Sequence, residues 1–239
     1  MFERWLMLAA ALSLTSAALA ESPVQEERRV AGFSEVYLKA GGELNITQGD
    51  SERLLIEVPR SYLDRVTSEV HHGRLVLSYK SKPFESGTML SFRDDVPVKF
   101  HLTVKQLDRI ALTGSGDITA HALVTDTLAI DSSGAGNVQI DALITKELTV
   151  KLNGSSDIKL AGQVASQSVE IAGSGSYTAR GLRSGSASVF IVGSADAAVW
   201  AVDSLAVSIA GSGDVRYHGQ PKITQSVRGS GEVRSLATR

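Results

Sequence analysis

Seven residues with hydrogen-bonding or metal-binding side chains recur at nearly one spacing. Asp117, Asn137, Asp157, Ser176, Asp196, Asp214 and Glu232 follow one another at intervals of 20, 20, 19, 20, 18 and 18 residues. Side chains repeated at a constant interval share an environment when the fold repeats with the sequence. Lined up along one edge, their oxygens have the hard-donor chemistry of a calcium site, and Asp196, Asp214 and Glu232 are three successive acids. The same residue types also accept hydrogen bonds from turn amides and tolerate corner geometry. Calcium-binding nonapeptide repeats carry Gly-Gly-x-Gly-x-Asp, which is absent here. Turn capping is therefore the expected role, and no metal ligand is assigned.

Other candidate chemistry is sparse. His71, His72, His101, His121 and His218 form neither an i, i+4 helical pair nor an HExxH motif. Ser156-Asp-Ile-Lys159 has the Ser-x-x-Lys spacing of penicillin-binding enzymes, but that pair works from a helix. On a strand, positions three apart face opposite ways. A carbohydrate-active β-helix would need acids and bases clustered on one face. Of Lys151, Lys159, Arg180, Arg183, Arg216, Arg228 and Arg234, only Arg216 and Arg234 share a repeat position. Trp200 and Tyr217 are the large aromatics placed to flank a groove, and alternation turns Tyr217 inward. No GxSxG, P-loop or GxGxxG stands in a fitting context. We assign no catalytic, cofactor-binding or metal-binding residue.

The elements that carry these residues are short strands. The recurring polar residue closes a glycine turn each time, as in Gly114-Ser-Gly-Asp117, Gly154-Ser-Ser-Asp157 and Gly211-Ser-Gly-Asp214. Before each turn lies an apolar alternation such as Ile110/Leu112, Val150/Leu152 or Val207/Ile209. After it comes a second, such as Ile118/Ala120, Val138/Ile140 or Ile158/Leu160. A third apolar point recurs at Leu123, Leu143, Val164, Leu182 and Val202. Period-two alternation rich in Val and Ile, punctuated by Gly, is strand chemistry. An antiparallel meander has no reason to repeat one turn at one spacing, whereas a parallel β-solenoid stacks equivalent residues ~4.8 Å apart. Of 22 glycines, 16 follow residue 107, while four of the five prolines precede it. That distribution suits stacked coils, because proline deletes ladder hydrogen bonds. The fold class is thus all-β, a parallel β-helix (β-solenoid) with coils of ~20 residues.

The chain has 239 residues, 24 basic and 26 acidic side chains, a net charge of −2 and no cysteine. Balanced charge excludes bulk electrostatic nucleic-acid binding, and zero cysteines exclude disulfides, thiolate metal sites and Cys nucleophiles. Met1–Ala20 reads as a signal peptide, with Leu6–Leu14 as its apolar stretch and Ala18-Leu-Ala20 as the cleavage site. No later segment reaches membrane-spanning length. We expect a signal peptide over 1–20, a linker over 21–32, irregular coils and a cap over 33–106, regular repeats over 107–235, and a tail over 236–239. Ser81–Asp95 is the most loop-like stretch.

Several of these motifs resemble the head GIN domain family of auto-transporter adhesin-like proteins. They are the signal peptide, Phe33-x-x-Val36-x-Leu38-x-x-Gly41 leading to Leu44-Asn-Ile-Thr-Gln-Gly49, and Leu107-x-x-Ile110-x-Leu-x-Gly114-Ser-Gly-Asp117-Ile118. The closing Gly211-Ser-Gly-Asp214-Val-x-Tyr-x-Gly219-x-Pro221 completes the set. The resemblance, over about residues 33–235, implies a right-handed parallel β-helix at the bacterial envelope, without catalytic residues or a cofactor. The sequence lacks the run of ~10-residue alternating strands that a translocator barrel needs, so a periplasmic resident is expected, with an extracellular or outer-surface location as the alternative. We therefore expect a non-catalytic exported binding or assembly module presenting a polar stacked surface. Its partner would be an envelope protein or glycan, with self-association through the solenoid ends as a further contact. The alternative is an envelope polysaccharide-processing enzyme of β-helix type.

Overall fold

A computed structural model describes residues 22–39, 41–80 and 98–236. The expected signal peptide and the loop-like Ser81–Asp95 lie outside the described residues. In chain order the strands are β1 (Pro23–Arg28), β2 (Glu35–Leu38), β3 (Glu43–Gln48), β4 (Arg53–Pro59), β5 (Val66–His71), β6 (Arg74–Tyr79) and β7 (Lys99–Val104). There follow β8 (Arg109–Gly114), β9 (Asp117–Val124), β10 (Thr127–Gly134), β11 (Asn137–Gly154), β12 (Asp157–Gly173), β13 (Ser176–Gly193) and β14 (Asp196–Gly211). Last come β15 (Val215–His218), β16 (Lys222–Gly229) and β17 (Val233–Ser235). From β8 onward every pairing is parallel, and the coils stack as a β-solenoid of about six turns.

Alternation explains the core. Ile110, Ile130, Val150, Val169, Val189 and Val207 are register partners from coil to coil, all buried. Beyond the corner, Ile118, Val138, Ile158, Tyr177, Ala197 and Val215 form a second buried column. Tyr177 fits because its upper neighbour is Ala197, which trades volume with it at the packing density interiors require. Its hydroxyl donates to Gln167 Oε1 (2.8 Å), Gln167 Nε2 donates to Ser184 Oγ (2.9 Å), and Ser184 Oγ donates to the Trp200 carbonyl (2.6 Å). Burial pushes the Tyr177 phenol above its ordinary range, so it stays a neutral donor. Tyr177, Gln167 and Ser184 thus partner one another, which is what lets them remain buried.

The corner glycines are register partners too, Gly154 over Gly134, Gly173 over Gly154 and Gly193 over Gly173. Gly173 has φ +135°, and a Cβ there would overlap the Gly154 carbonyl oxygen. The close approach is productive, because Ser174 N–H donates to that carbonyl at 2.9 Å.

In three places the structure is more specific than the sequence pattern. The third apolar point is not one column: Leu143 pairs with Gly162 and Gly162 with Leu182, whereas Val164 pairs with Thr145 and Ser184. Register shifts after Ile140 and Lys159 slide the chain there, and inward Ala201 is buried where Val202 is half-buried. Second, residues 21–32 hold more than a connection, since β1 pairs antiparallel with β4 and Arg28 donates to the Val66 carbonyl at 2.7 Å. Third, the N-terminal coils do not stack in chain order. β2 and β3 lie between β6 and β7 on one side and β8 and β9 on the other. The antiparallel β4 against β7 and hairpin β5–β6 then close that end. Gly42 (φ +107°) makes the corner between β2 and β3, packed against the Val98 carbonyl below, while Asp117 N–H donates to its own carbonyl from the coil above (2.8 Å).

The other end finishes differently. β16 pairs with β14, and all its residues are exposed. Its inward column reads Ile223, Gln225, Val227, so a polar residue replaces the valine of earlier coils, and Lys222 and Arg228 flank it. Charged and polar residues on a terminal strand discourage edge pairing, and terminal repeats with polar outer faces keep solenoids soluble.

Replacing Gly173 with Val should lower stability by about 2–4 kcal/mol, through strain and overlap with the coil below. Ser174→Ala keeps the donor amide and should melt within about 0.5 kcal/mol of the parent. Matched thermal and denaturant melts check both, and equal melts for all three proteins would contradict the corner geometry.

Candidate functional site

The polar ladder links each coil to the next rather than capping its own turns. Asp117 Oδ1 accepts from Asn137 N–H (3.1 Å) and Asn137 Nδ2 (2.8 Å), and Asp157 Oδ1 accepts from Ser176 N–H (3.2 Å) and Oγ (2.6 Å). Asp196 and Asp214 accept in the same way from the amides of Asp214 (3.1 Å) and Glu232 (3.0 Å). Each of these carboxylates stitches its coil to the next. Arg216 spans Asp196 and Asp214 at 3.6 and 3.5 Å, and Arg234 pairs with Glu232. Among the described residues no group of three His, Asp or Glu is placed to hold a metal ion.

The remaining sequence candidates do not converge. His71 pairs with Glu69 (3.1 Å), His121 faces Asp141 (3.6 Å), and His72 with φ 50° forms a hairpin turn with Gly73. Ser156 is buried and its Oγ accepts from Ser132 Oγ (2.8 Å), while Lys159 is exposed, so the Ser-x-x-Lys pair is split across the wall. Arg216 and Arg234 are register partners but occupied by acids. Trp200 and Tyr217 are half-buried on neighbouring coils, and Tyr217 packs against the core as its alternation implies.

What the fold does assemble is a trough along the solenoid. Two outward columns border it, Glu147, Ser166, Ser186, Ser204, Lys222 and Thr149, Ser168, Ser188, Ala206, Thr224, each in register from coil to coil. Between them the floor is the strand backbone at Leu148, Gln167, Ala187 and Leu205, whose side chains turn into the core. The cavity measures about 600 Å³. Four strand spacings separate Glu147 from Lys222, roughly 19 Å at ~4.8 Å each, so the two charges lie at opposite ends of an uncharged hydroxyl-lined run. Ser188, Ala206 and Thr224 also line an adjoining hollow of about 220 Å³ that contains Phe190. Phe190 and Val192 are 42% and 44% exposed on this same outer face, flanked in register by Glu170, Ser208, Ala172 and Ala210.

Sequence reasoning missed both features. The bordering columns stand seven and five residues before each corner glycine, a legible offset. Phe190 could have been found by the same count, since its parity before Gly193 turns it outward.

A second hollow, about 470 Å³, lies at the lower corner beneath exposed Val124 and Ile144. The Gln48 amide accepts from Val124 N–H (2.8 Å) and donates to the Val124 carbonyl (2.9 Å), standing in for a missing strand.

If the carboxylate ladder is structural, Asp157→Ala should cost about 1 kcal/mol, by the same amount with and without calcium, and calorimetric titration of calcium into the parent protein should give no stoichiometric heat.

A family model described as "Putative auto-transporter adhesin, head GIN domain" matches residues 32–221. Among solved structures, the chain is similar to a "putative adhesin" from Bacteroides fragilis, at 26% identity and TM-score 0.81, covering 91% of this chain and 98% of that one. It shares the fold of a "putative lipid binding protein" from Parabacteroides distasonis (22% identity, TM-score 0.70, covering 90% and 97%). It also shares that of a "putative adhesin" from Parabacteroides merdae (20%, 0.71, 90% and 97%). No curated protein matches. With the family model spanning most of the solenoid and a neighbour of the same fold along nearly its whole length, this chain belongs to the head GIN domain family.

Proposed function

We propose that this protein is a non-catalytic, adhesin-like binding module, exported to the periplasm through Met1–Ala20, that holds an extended partner in the trough along β11–β14 and β16. The observation that carries the reading is the trough itself, five strands long, uncharged between its ends and walled by aligned Ser and Thr hydroxyls. Hydroxyls on a hydrogen-bonded sheet are held in place by the fold, so little ordering entropy is lost when a partner docks. Family membership and the adhesin of similar fold support the same class of activity.

Nothing favours the polysaccharide-processing alternative. General acid–base catalysis needs two titratable groups within reach of one bond, and Glu147 and Lys222 are the trough's charged residues, placed at its two ends.

Fluorescently labelled protein should bind isolated cell-envelope fractions saturably. Ser188→Arg, which fills the exposed trough wall, should weaken that binding at least about tenfold. Lys159→Glu, on the sheet beyond the corner, should leave it unchanged. Equal binding by both variants would refute the trough as the contact surface.

A further inference from the structure

We infer that the C-terminal end of the solenoid is a two-fold interface, at which β16 pairs antiparallel with β16 of a second copy of this chain about an axis through Gln225. The inference is independent of the trough.

The first argument is the open edge. Among the described residues β16 is bonded on one side, to β14, with Lys222 over Ser204 and Val227 over Ile209. Ser230 N–H, next after the strand, donates down to the Gly211 carbonyl at 3.0 Å. In a parallel ladder alternate residues turn both backbone groups to the same neighbour. Lys222, Thr224, Ser226 and Arg228 therefore bond down to β14, and Ile223, Gln225 and Val227 turn N–H and C=O to the open edge. The side chains of these three continue the lumen columns of Leu205, Val207 and Ile209, which are buried. Ile223 and Val227 are 37% and 38% exposed, so this end of the lumen carries uncovered apolar surface beside unpaired backbone.

The second argument is the sequence of the strand, and it identifies the partner. Lys222–Arg228 reads Lys-Ile-Thr-Gln-Ser-Val-Arg, which by residue class is the same in both directions. Antiparallel pairing about Gln225 sets Ile223 opposite the partner's Val227, Thr224 opposite the partner's Ser226, and Gln225 opposite itself. Positions 223, 225 and 227 are those whose backbone faces the edge, so each of these opposing pairs exchanges both N–H···O bonds. The Ile–Val pairs carry the apolar lumen across the joint, and the Thr–Ser pairs lie on the outer face. The two Gln225 amides bond each other on the axis, where a lone one would be stranded. An isologous contact needs a self-complementary patch, and a strand edge that reads alike both ways is one.

The opposite end does not match it. There β5 reads Val-Thr-Ser-Glu-Val-His without this symmetry, and Arg28 of β1 holds the Val66 carbonyl at 2.7 Å. Both β1 and β5 run antiparallel to their inner neighbours, so the two ends of the molecule differ in strand direction as well as sequence. Head-to-tail stacking is thereby disfavoured, and the two-fold closes at a dimer. One repulsion opposes it, because Lys222 meets the partner's Arg228 at each end of the ladder. Those charges guard the edge against indiscriminate pairing and make this dimer weaker at low ionic strength.

The test is sedimentation equilibrium of the full chain over about 1–300 μM, in about 0.05 and 0.5 M salt. The parent should show a monomer–dimer equilibrium that tightens about threefold or more at the higher salt. Lys222→Glu turns both repulsions into ion pairs, and should tighten the dimer about tenfold at low salt and reverse the salt dependence. Gln225→Pro removes an N–H that the single chain does not use, a change that edge strands accept. Its melt should match the parent's while the dimer is lost; if it melts early, Lys222→Glu decides alone. Parent and Lys222→Glu proteins that both stay monomeric throughout would overturn the inference. So would dimers that survive Gln225→Pro in a folded protein, a Lys222→Glu dimer no tighter than the parent's, or open-ended polymers in place of a dimer.

Discussion

One strand spacing between successive corner glycines is the constraint on which the rest of the molecule depends. The amides of Ala135, Ser155, Ser174, Ser194 and Ser212 donate to the carbonyls of Gly114, Gly134, Gly154, Gly173 and Gly193 at 2.9–3.0 Å. A corner with any side chain would stand too high for this bond, because a Cβ would occupy the position of the carbonyl below. With glycine, the corner rises by the same step as the sheets on either side. The coils therefore stack in register at the corners, and the inward and outward columns that flank them continue from coil to coil. A straight trough is a consequence of that registration. Its walls are aligned because its corners are.

Registration also explains how polar groups survive inside. In the fully regular columns a side chain meets the same neighbour above and below, so a lone polar residue would be stranded. Gln167 and Tyr177 avoid this by reaching across the lumen to each other and to Ser184. Alanines beside them, Ala187 and Ala197, supply the room. The Asp and Asn ladder does the equivalent work outside, each carboxylate taking an amide one coil away. Its chemistry is spent on holding coils together.

Much of this was legible in residue order. Val150 and Leu152 before Gly154, with Ile158 and Leu160 after, state strand, corner and strand, and the spacing of the copies states parallel stacking. The N-terminal region was less legible, because β2, β3, β6 and β7 are short runs whose partners are chosen by tertiary contact rather than by a repeated corner. Nothing local in Glu35–Leu38 says that it will lie between β6 and β8. The bulges near Gly162 were hidden for a similar reason: one residue fewer in a 19-residue step must be absorbed somewhere, and spacing alone does not say where. As for the site, serine is common in exposed strands, so Ser166, Ser186 and Ser204 became informative once their register showed them to be stacked. Phe190 is an outward residue, so the inward apolar alternation that marks the strands does not single it out.

Hydrogen exchange at the corners tests the central claim most directly. Turn amides ordinarily exchange fast, but the amides of Ala135, Ser155, Ser174, Ser194 and Ser212 are ladder donors to the coil below. The account predicts that peptides spanning them are protected as strongly as the strands β11–β13 that flank them. Rapid, loop-like exchange at those five amides, with protected strands on either side, would contradict it.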